Sequence, residues 1–378
     1  LMAAGSTIVP LPKPNPGHLF GKGKLEELKH LFHDHDIELV IIDGLVSPVQ
    51  QRNLEKLWKV KLLDRTSLIL EIFSDRAATR EGVLQVEMAA LSYQRTRLVR
   101  AWTHLERQRG GLGFVGGPGE TQIEADRRAI DLQLVRLRRQ LSKVVKTRTL
   151  HRAARAKVPF PVVALVGYTN AGKSTLFNRL TGAGVMAKDM LFATLDPTMR
   201  SVKLGPGFEV IFSDTVGFIS QLPTQLIESF KATLDELRLG DLLLHIVDIS
   251  DSDCRQKVIE VNKILEDLNL QSIPQIRVNN KCDLKEALNP KPNFEIEKKE
   301  AWISAEKNIG IDDLRDLINI ELFNGIYKGW ISLEASLGNI RSKLFRMGCV
   351  NEEKVSATGQ IFAHIDIGHD ELDRFIGI

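Results

Sequence analysis

Cysteine is scarce in this chain, with three in 378 residues, Cys254, Cys282 and Cys349, and their spacing suits neither a metal site nor an even disulfide framework. A reducing compartment is expected. Aromatic residues make up only 6% of the sequence, and no apolar run approaches the roughly 18 residues of a membrane span. No span is expected. Six of the nine histidines, His18, His30, His33, His35, His104 and His151, have no cysteine or carboxylate partners at ligand spacing and read as surface or packing residues. The opening Leu1-Met2-Ala3-Ala4 leaves open a missing native start or a removed targeting peptide. The expected location is therefore the cytoplasm, or the mitochondrial or plastid matrix where such a peptide has been removed.

The length is enough for two to four domains. Hydrophobic content of 43% and charged content of 26% are those of a soluble globular protein. Net charge is +3, but it is unevenly spread: from Arg76 to Phe160 there are 18 Lys and Arg against 7 Asp and Glu, an excess of +11 that leaves −8 for the rest. The positive charge sits in one segment.

Gly167–Ser174, read as Gly-Tyr-Thr-Asn-Ala-Gly-Lys-Ser, fits G-x-x-x-x-G-K-[ST] between the apolar run 161–166 and a helical start at Thr175. In that context the backbone amides of Gly167, Tyr168, Thr169, Asn170, Ala171 and Gly172 can wrap phosphates. Lys173 adds a cation, and the Ser174 hydroxyl is placed to ligate Mg²⁺. Phe208–Ser213 reads as a strand delivering Asp214-Thr215-Val216-Gly217, the D-x-x-G pattern, with Asp214 on Mg²⁺ through water and the Gly217 amide sensing the γ-phosphate. Asn280-Lys281-Cys282-Asp283 reads N-K-x-D after an apolar segment, and a carboxylate there accepts both N1–H and N2–H₂ of guanine, which adenine cannot offer. Ser304-Ala305-Glu306 is placed to touch the base from the far side. Four motifs in this order, each at the end of an apolar run, predict GTP and GDP as ligands.

The basic segment has its own period. Leu84, Met88, Leu91, Arg95, Leu98, Trp102 and Leu105 step by three and four, as do Ile130, Leu134, Leu137, Leu141 and Val144 after Ile123. These are two seams of a helical hairpin. Its tip, Gly110–Gly119, holds six glycines in ten residues, and the G-x-G-x-x-G formed by Gly111, Gly113 and Gly116 separates helices instead of following a strand, so it is no dinucleotide fingerprint. A glycine-rich, apolar tip on a basic stalk suits insertion into folded RNA, with Arg107, Arg109, Gly110, Gly111, Gly113, Phe114, Gly116, Gly117, Arg127 and Arg128 as contacts. A solvated basic hairpin with a loose turn is the plainer reading.

The first 75 residues read as a small α/β domain, with a helical segment over His18–Leu31 entered through Gly21–Lys24, a strand over Glu38–Asp43, a helix opened by Ser47-Pro48 and a strand near Lys61–Asp64. Gly21-Lys22-Gly23-Lys24 is too short to establish a second nucleotide site. Beyond the nucleotide-binding body, a strand over Gly325–Leu333, a helix over Glu334–Met347, a strand over Lys354–Asp366 and a helical end over His369–Phe375 suggest a βαβ-type appendage. The predicted fold class is α/β, in four parts: an N-terminal α/β domain (1–75), the basic hairpin (76–157), a doubly wound, mostly parallel P-loop domain (158–323) and a small α+β C-terminal domain (324–378).

Phe20–Lys24, Asp64–Thr66, His104–Gln108, Gly116–Gln122, Gly167–Ser174, Leu191–Thr198 and Asp214–Phe218 together resemble the HflX family of translation-factor-class GTPases, over roughly residues 18 to 323, with the C-terminal 55 residues a weaker match. The resemblance implies binding to the ribosome, chiefly the large subunit, and splitting or rescue of stalled and idle ribosomes, especially under stress. Large-subunit maturation is also associated with such proteins. It further implies that Thr194 is the Mg²⁺-binding threonine, with Phe192, Ala193, Leu195 and Asp196 lining the nucleotide. From the residues alone Thr198 competes.

Phe218 stands where many small GTPases carry a water-orienting glutamine, so slow intrinsic hydrolysis is expected. Asn170 lies where potassium-dependent relatives place a side-chain oxygen, making K⁺ a further candidate ion and Lys173, Thr194, Gly217 and Asn170 the catalytic set; a local loop hydrogen bond is the competing role for Asn170. The expected protein is a monomeric GTPase acting on the ribosome. The rivals are a ribosome-assembly GTPase acting on large-subunit precursors and a regulatory switch with protein partners only; a helicase ranks lower because no second helicase core is visible.

Overall fold

The computed structural model describes residues 3–108, 118–155, 160–184, 192, 195, 198–205, 208–219, 237–284, 294–295, 299–323, 325–334, 338–356, 359–369 and 372–373, with backbone only at 99–108, 118–123, 147–155, 205, 239, 294–295 and 326. The described residues form two compact units that divide between Leu150 and His151. Among them, no helix is long and apolar enough to cross a membrane.

The first unit opens with α1 (Lys22–Asp34), β1 (Leu39–Ile42), α2 (Pro48–Trp58), β2 (Lys61–Asp64) and α3 (Arg65–Arg76). Within the expected His18–Leu31 segment, α1 begins at Lys22, inside the Gly21–Lys24 entry. Asn15 Oδ1 accepts from the Gly17 amide at 2.8 Å, Leu19 adopts φ +64°, and the resulting turn delays the helix to Lys22. A capping box starts α2: Ser47 Oγ accepts from the Gln50 amide at 3.2 Å, Gln50 Oε1 accepts from the Ser47 amide at 2.9 Å, and Pro48 fills the first turn. Strands β1 and β2 pair in parallel, and Leu25, Leu28, Leu54, Trp58 and Leu62 close the core. Burying a side chain such as Leu54 contributes about 2 kcal/mol. Helix α3 is absent from the expectations, although Asp64 caps it by accepting from the Ser67 amide at 2.8 Å.

The two long helical patterns are α4 (Arg80–Gln108) and α5 (Pro118–Arg155), about 43 and 57 Å long at ~1.5 Å per residue. Leu84, Leu134 and Leu137 are buried as the seams require. Arg95, a seam position of the first helix, is ion-paired to Asp131 of the second at 2.7 Å. At the hairpin's root, the carboxylate of Asp64 accepts from the Tyr93 hydroxyl and meets Arg97 at 3.2 Å, and Arg97 also donates to Gln51. Asp64 is only 1% exposed, so this root joins α4 to the β2–α3 corner through a dry carboxylate.

The second unit contains β3 (Val162–Gly167), α6 (Lys173–Thr181), β4 (Thr198–Gly205), β5 (Phe208–Asp214), β6 (Leu242–Asp248), α7 (Cys254–Asp267), β7 (Gln275–Asn280), β8 (Phe294–Glu295), β9 (Glu300–Trp302) and α8 (Ile311–Phe323). The sheet order is β4-β5-β3-β6-β7-β9-β8. Pairing is antiparallel only at the two edges, β4–β5 and β8–β9. Strand β3 lies between β5 and β6, where the winding reverses, and such a switch point opens a crevice at the carboxyl ends of the strands. Leu165, Phe177, Phe212, Leu244, Ile276 and Leu317 are fully buried in one core that holds these strand ends in place.

The C-terminal elements are β10 (Ile326–Leu333), α9 (Gly338–Met347), β11 (Val350–Val355) and β12 (Ile361–Gly368). The expected single strand over Lys354–Asp366 is corrected to two. Ser356 N–H donates to the Gln360 carbonyl at 2.8 Å and Gly359 N–H to Ser356 at 3.0 Å, turning the chain back. The order β10-β12-β11 is antiparallel throughout, so β12 is inserted between the two strands of the expected βαβ unit. The helix expected from Glu334 starts at Gly338, and most of the helical end expected over His369–Phe375 lies outside the described residues.

Candidate functional site

Three of the four motifs converge at the end of β3, and the fourth sits beside them on the β9–α8 loop. The loop from Gly167 to Gly172 runs from buried β3 into α6, whose first residues are Lys173 and Ser174. Gly172 has φ +94°, and a Cβ on it would stand 2.2 Å from Asn280 Nδ2. Only glycine fits both the conformation and the approach. Lys173 is buried and donates to the carbonyls of Gly167 at 3.2 Å and Tyr168 at 2.8 Å. Burial lowers its pKa to about 8, partly opposed by the Asp214 carboxylate.

Asp214 ends β5 with no exposed surface, and Ser174 Oγ donates to its Oδ2 at 2.7 Å. A hydroxyl and a buried carboxylate beside a phosphate loop form a hard-oxygen donor set that fits Mg²⁺. Among the described residues no cluster of three or more His, Cys, Asp or Glu could hold a metal by itself. Beyond Asp214 the Thr215 hydroxyl donates to the Leu165 carbonyl at 2.5 Å, and the buried Val216 leads to Gly217. Thr215 therefore lies at the site through its backbone only. Phe218 pairs with the loop itself: its amide donates to Gly167 at 3.0 Å and its carbonyl accepts from Thr169 at 2.7 Å. Phe218 is 3% exposed, and a phenyl ring offers no hydrogen bond to orient a water.

Asn280 ends β7 and is buried. Its Nδ2 donates to the Ala171 carbonyl at 2.8 Å, and its Oδ1 accepts from the Ala305 amide at 3.0 Å. Asp283 comes next on a short 3-10 turn, 3.2 Å from Lys307. Desolvation raises its pKa, but the Ser304 hydroxyl and Lys307 more than offset that and hold it below the ordinary carboxylate range. It is thus an ionised acceptor at neutral pH. Lys281, at φ +63°, pairs with Asp248 at 2.7 Å, whereas Cys282 packs into a small apolar cluster with Val247 and Ile249.

Asn170 is exposed at φ +61°. Phe192 and Leu195 are buried, whereas Ala193, Thr194 and Asp196 lie outside the described residues. Thr198, the rival to Thr194, is the first residue of β4, paired with Asp214 across the edge ladder. Of the RNA-contact residues, Arg127 and Arg128 are exposed on α5. Arg109, Gly110, Gly111, Gly113, Phe114, Gly116, Gly117 and the Arg107 side chain lie outside the described residues.

Four residues near the site were not anticipated: Arg179, His245, Asp248 and Lys307. Asp248 had a readable signal, a carboxylate at the end of a strand that is apolar apart from His245. The other three depend on contacts distant in sequence. Burial, Arg277 and Lys173 keep His245 neutral, with a pKa lowered to about 4. It lines a cavity of about 220 Å³ beside the loop, between Tyr168 and Lys257.

Residues 1–74 match the family model described as GTP-binding GTPase N-terminal, residues 76–155 the GTP-binding GTPase middle region, and residues 162–281 a 50S ribosome-binding GTPase. The GTPase HflX of Magnetococcus marinus is 54% identical over 73% of this chain and 64% of its own length. That of Escherichia coli is 43% identical over 92% of this chain and 82% of its own. A GTP-binding protein from Sulfolobus solfataricus, solved with GDP, superposes with a TM-score of 0.45 at 23% identity, over 82% of this chain and 88% of that one. With the nucleotide motifs in place and relatives of this identity over most of its length, the chain belongs to the HflX family of GTPases.

Proposed function

We propose that this GTPase binds the ribosome, chiefly the large subunit, and uses GTP to split or rescue stalled and idle ribosomes, especially under stress. The observation that carries the reading is the joining of two features in one chain: a guanine-nucleotide site braced by Asn280 and a basic helical hairpin rooted on Asp64. The parts are assigned as 1–75 for the N-terminal domain, 76–157 for the hairpin, 158–323 for the GTPase domain and 324–378 for the C-terminal domain.

The loop amides and Lys173 hold the phosphates. Ser174 and Thr194, and Asp214 through water, would hold Mg²⁺, which would supply charge neutralisation at the phosphates. The Gly217 amide turns toward the γ-phosphate, which strains the Phe218 pairing with Gly167 and Thr169 and so carries the signal into the chain beyond Phe218. Phe218 leaves water positioning to backbone groups, to K⁺ beside Asn170, or to the ribosome. The GTP state favours hairpin insertion into ribosomal RNA in a way that is incompatible with subunit joining, and hydrolysis releases the factor. The protein is assigned to the cytoplasm, as a monomer.

Deleting Gly110–Gly119 is expected to leave GTP affinity intact and to abolish subunit dissociation in a sedimentation assay. A deleted chain that splits ribosomes normally overturns the role of the tip. Cosedimentation with large-subunit precursors but not with mature ribosomes would instead favour an assembly factor.

A further inference from the structure

Arg179 lies in the last turn of α6, outside every motif read from the sequence. Its Nε donates to the Ala305 carbonyl at 3.0 Å, and its Nη2 donates to the Glu306 carbonyl at 2.7 Å. Three consecutive amides of that loop have different fates. Ala305 N–H donates to Asn280 Oδ1 at 3.0 Å and Lys307 N–H to Ser304 Oγ at 3.1 Å, while Glu306 N–H makes no hydrogen bond among the described residues. No cis peptide bond occurs among those residues, and a trans peptide sets its N–H opposite its C=O. Anchoring the Ala305 carbonyl on Arg179 therefore turns the Glu306 N–H away from α6 as a fixed, uncommitted donor.

We propose that Arg179 is a positioning residue for base choice, aiming the Glu306 amide at the oxygen on C6 of guanine. This rests on the reading that Ser304–Glu306 lies against the base. Guanine carries an acceptor at C6 where adenine carries an amino donor, so a fixed N–H satisfies the first and opposes the second. The same helix begins with Lys173 and Ser174, so α6 holds the phosphate groups at one end and the base loop at the other. Arg179 is exposed, and its hydrogen bonds compete with water, which places its effect in the modest range.

The test uses the full chain and three diphosphates: GDP, IDP, which keeps the C6 oxygen, and 2-aminopurine riboside diphosphate, which lacks it. Arg179→Met keeps the aliphatic stem and removes the donors. It is expected to weaken GDP and IDP each by roughly three- to tenfold and the third ligand by less than about twofold, with kcat at saturating GTP unchanged. Arg179→Lys, a single-point donor, is expected to fall between. Equal loss on all three ligands, or no loss on any, overturns the proposal. Asp283→Asn separates the two levels. If it leaves the preference for guanine over xanthine unchanged, the base-site reading fails; if it shifts that preference while Arg179→Met acts equally on all three ligands, only the role of Arg179 fails.

Discussion

Asn280 Nδ2 sits 2.8 Å from the carbonyl oxygen of Ala171, tying the N-K-x-D motif to the phosphate loop 109 residues earlier. Its other side-chain atom holds Ala305, so one buried amide braces two loops of the candidate site. Asn280→Ala leaves a buried carbonyl and a buried amide unpaired, at about 1–3 kcal/mol each. GDP affinity is expected to fall at least about tenfold, with a lower melting temperature, as read by calorimetric titration and thermal unfolding. Affinity within about twofold of the parent would contradict the brace.

The buried amine of Lys173 makes a pH prediction. Its pKa of about 8 lies below the ordinary 10.5, so between those values the folded chain holds fewer protons than the unfolded one. From this group, stability rises with pH across that window. A phosphate restores the charge, so GDP binding above pH 8 takes up a proton and weakens as pH rises from 7.5 to 9.5. Titration in two buffers of different ionisation enthalpy measures the uptake. Lys173→Met should bind weakly without it.

Gly217 is confined on two sides: a Cβ there would lie 2.9 Å from Thr169 Cα and 2.9 Å from Lys173 Nζ. The lysine can move, but the backbone cannot yield cheaply. Gly217→Ala is expected to keep GDP binding within a few-fold while GTP hydrolysis drops about tenfold or more, because the added methyl resists the turn toward the γ-phosphate. Single-turnover hydrolysis beside GDP titration checks this. Parent-like turnover would show that Gly217 has room the geometry denies it.

The root of the hairpin should behave as a buried charge pair. Asp64→Ala removes a helix cap and strands Arg97, a loss of about 3 kcal/mol. Tyr93→Phe, which removes one hydrogen bond to the same carboxylate, should cost about 1 kcal/mol. Denaturant unfolding measures both, and an unchanged midpoint for Asp64→Ala would remove the root from the account.

The features readable in the sequence are local ones. The phosphate loop, the D-x-x-G strand and the two hairpin helices each arise from residues within one element, where period and turn chemistry suffice. The C-terminal pattern over Lys354–Asp366 reads as one strand because the break between Ser356 and Gln360 is short, and the hydrogen bonds that turn the chain there form only once it is folded. Helix α3 escapes notice because Asp64 looks like the end of β2, although the same carboxylate also caps the helix after it. Arg179, Lys307 and the bracing role of Asn280 are invisible for a different reason: each acts on a loop brought near by the sheet order β3-β6-β7-β9.

The most direct test of the central claim is cosedimentation of the full chain with purified large ribosomal subunits, comparing a non-hydrolysable GTP analogue with GDP. Retention at least about tenfold stronger with the analogue, lost when Gly110–Gly119 is deleted, is the predicted result. Equal retention in both nucleotide states, or retention indifferent to the deletion, would contradict the coupling of the nucleotide site to a ribosome-binding hairpin.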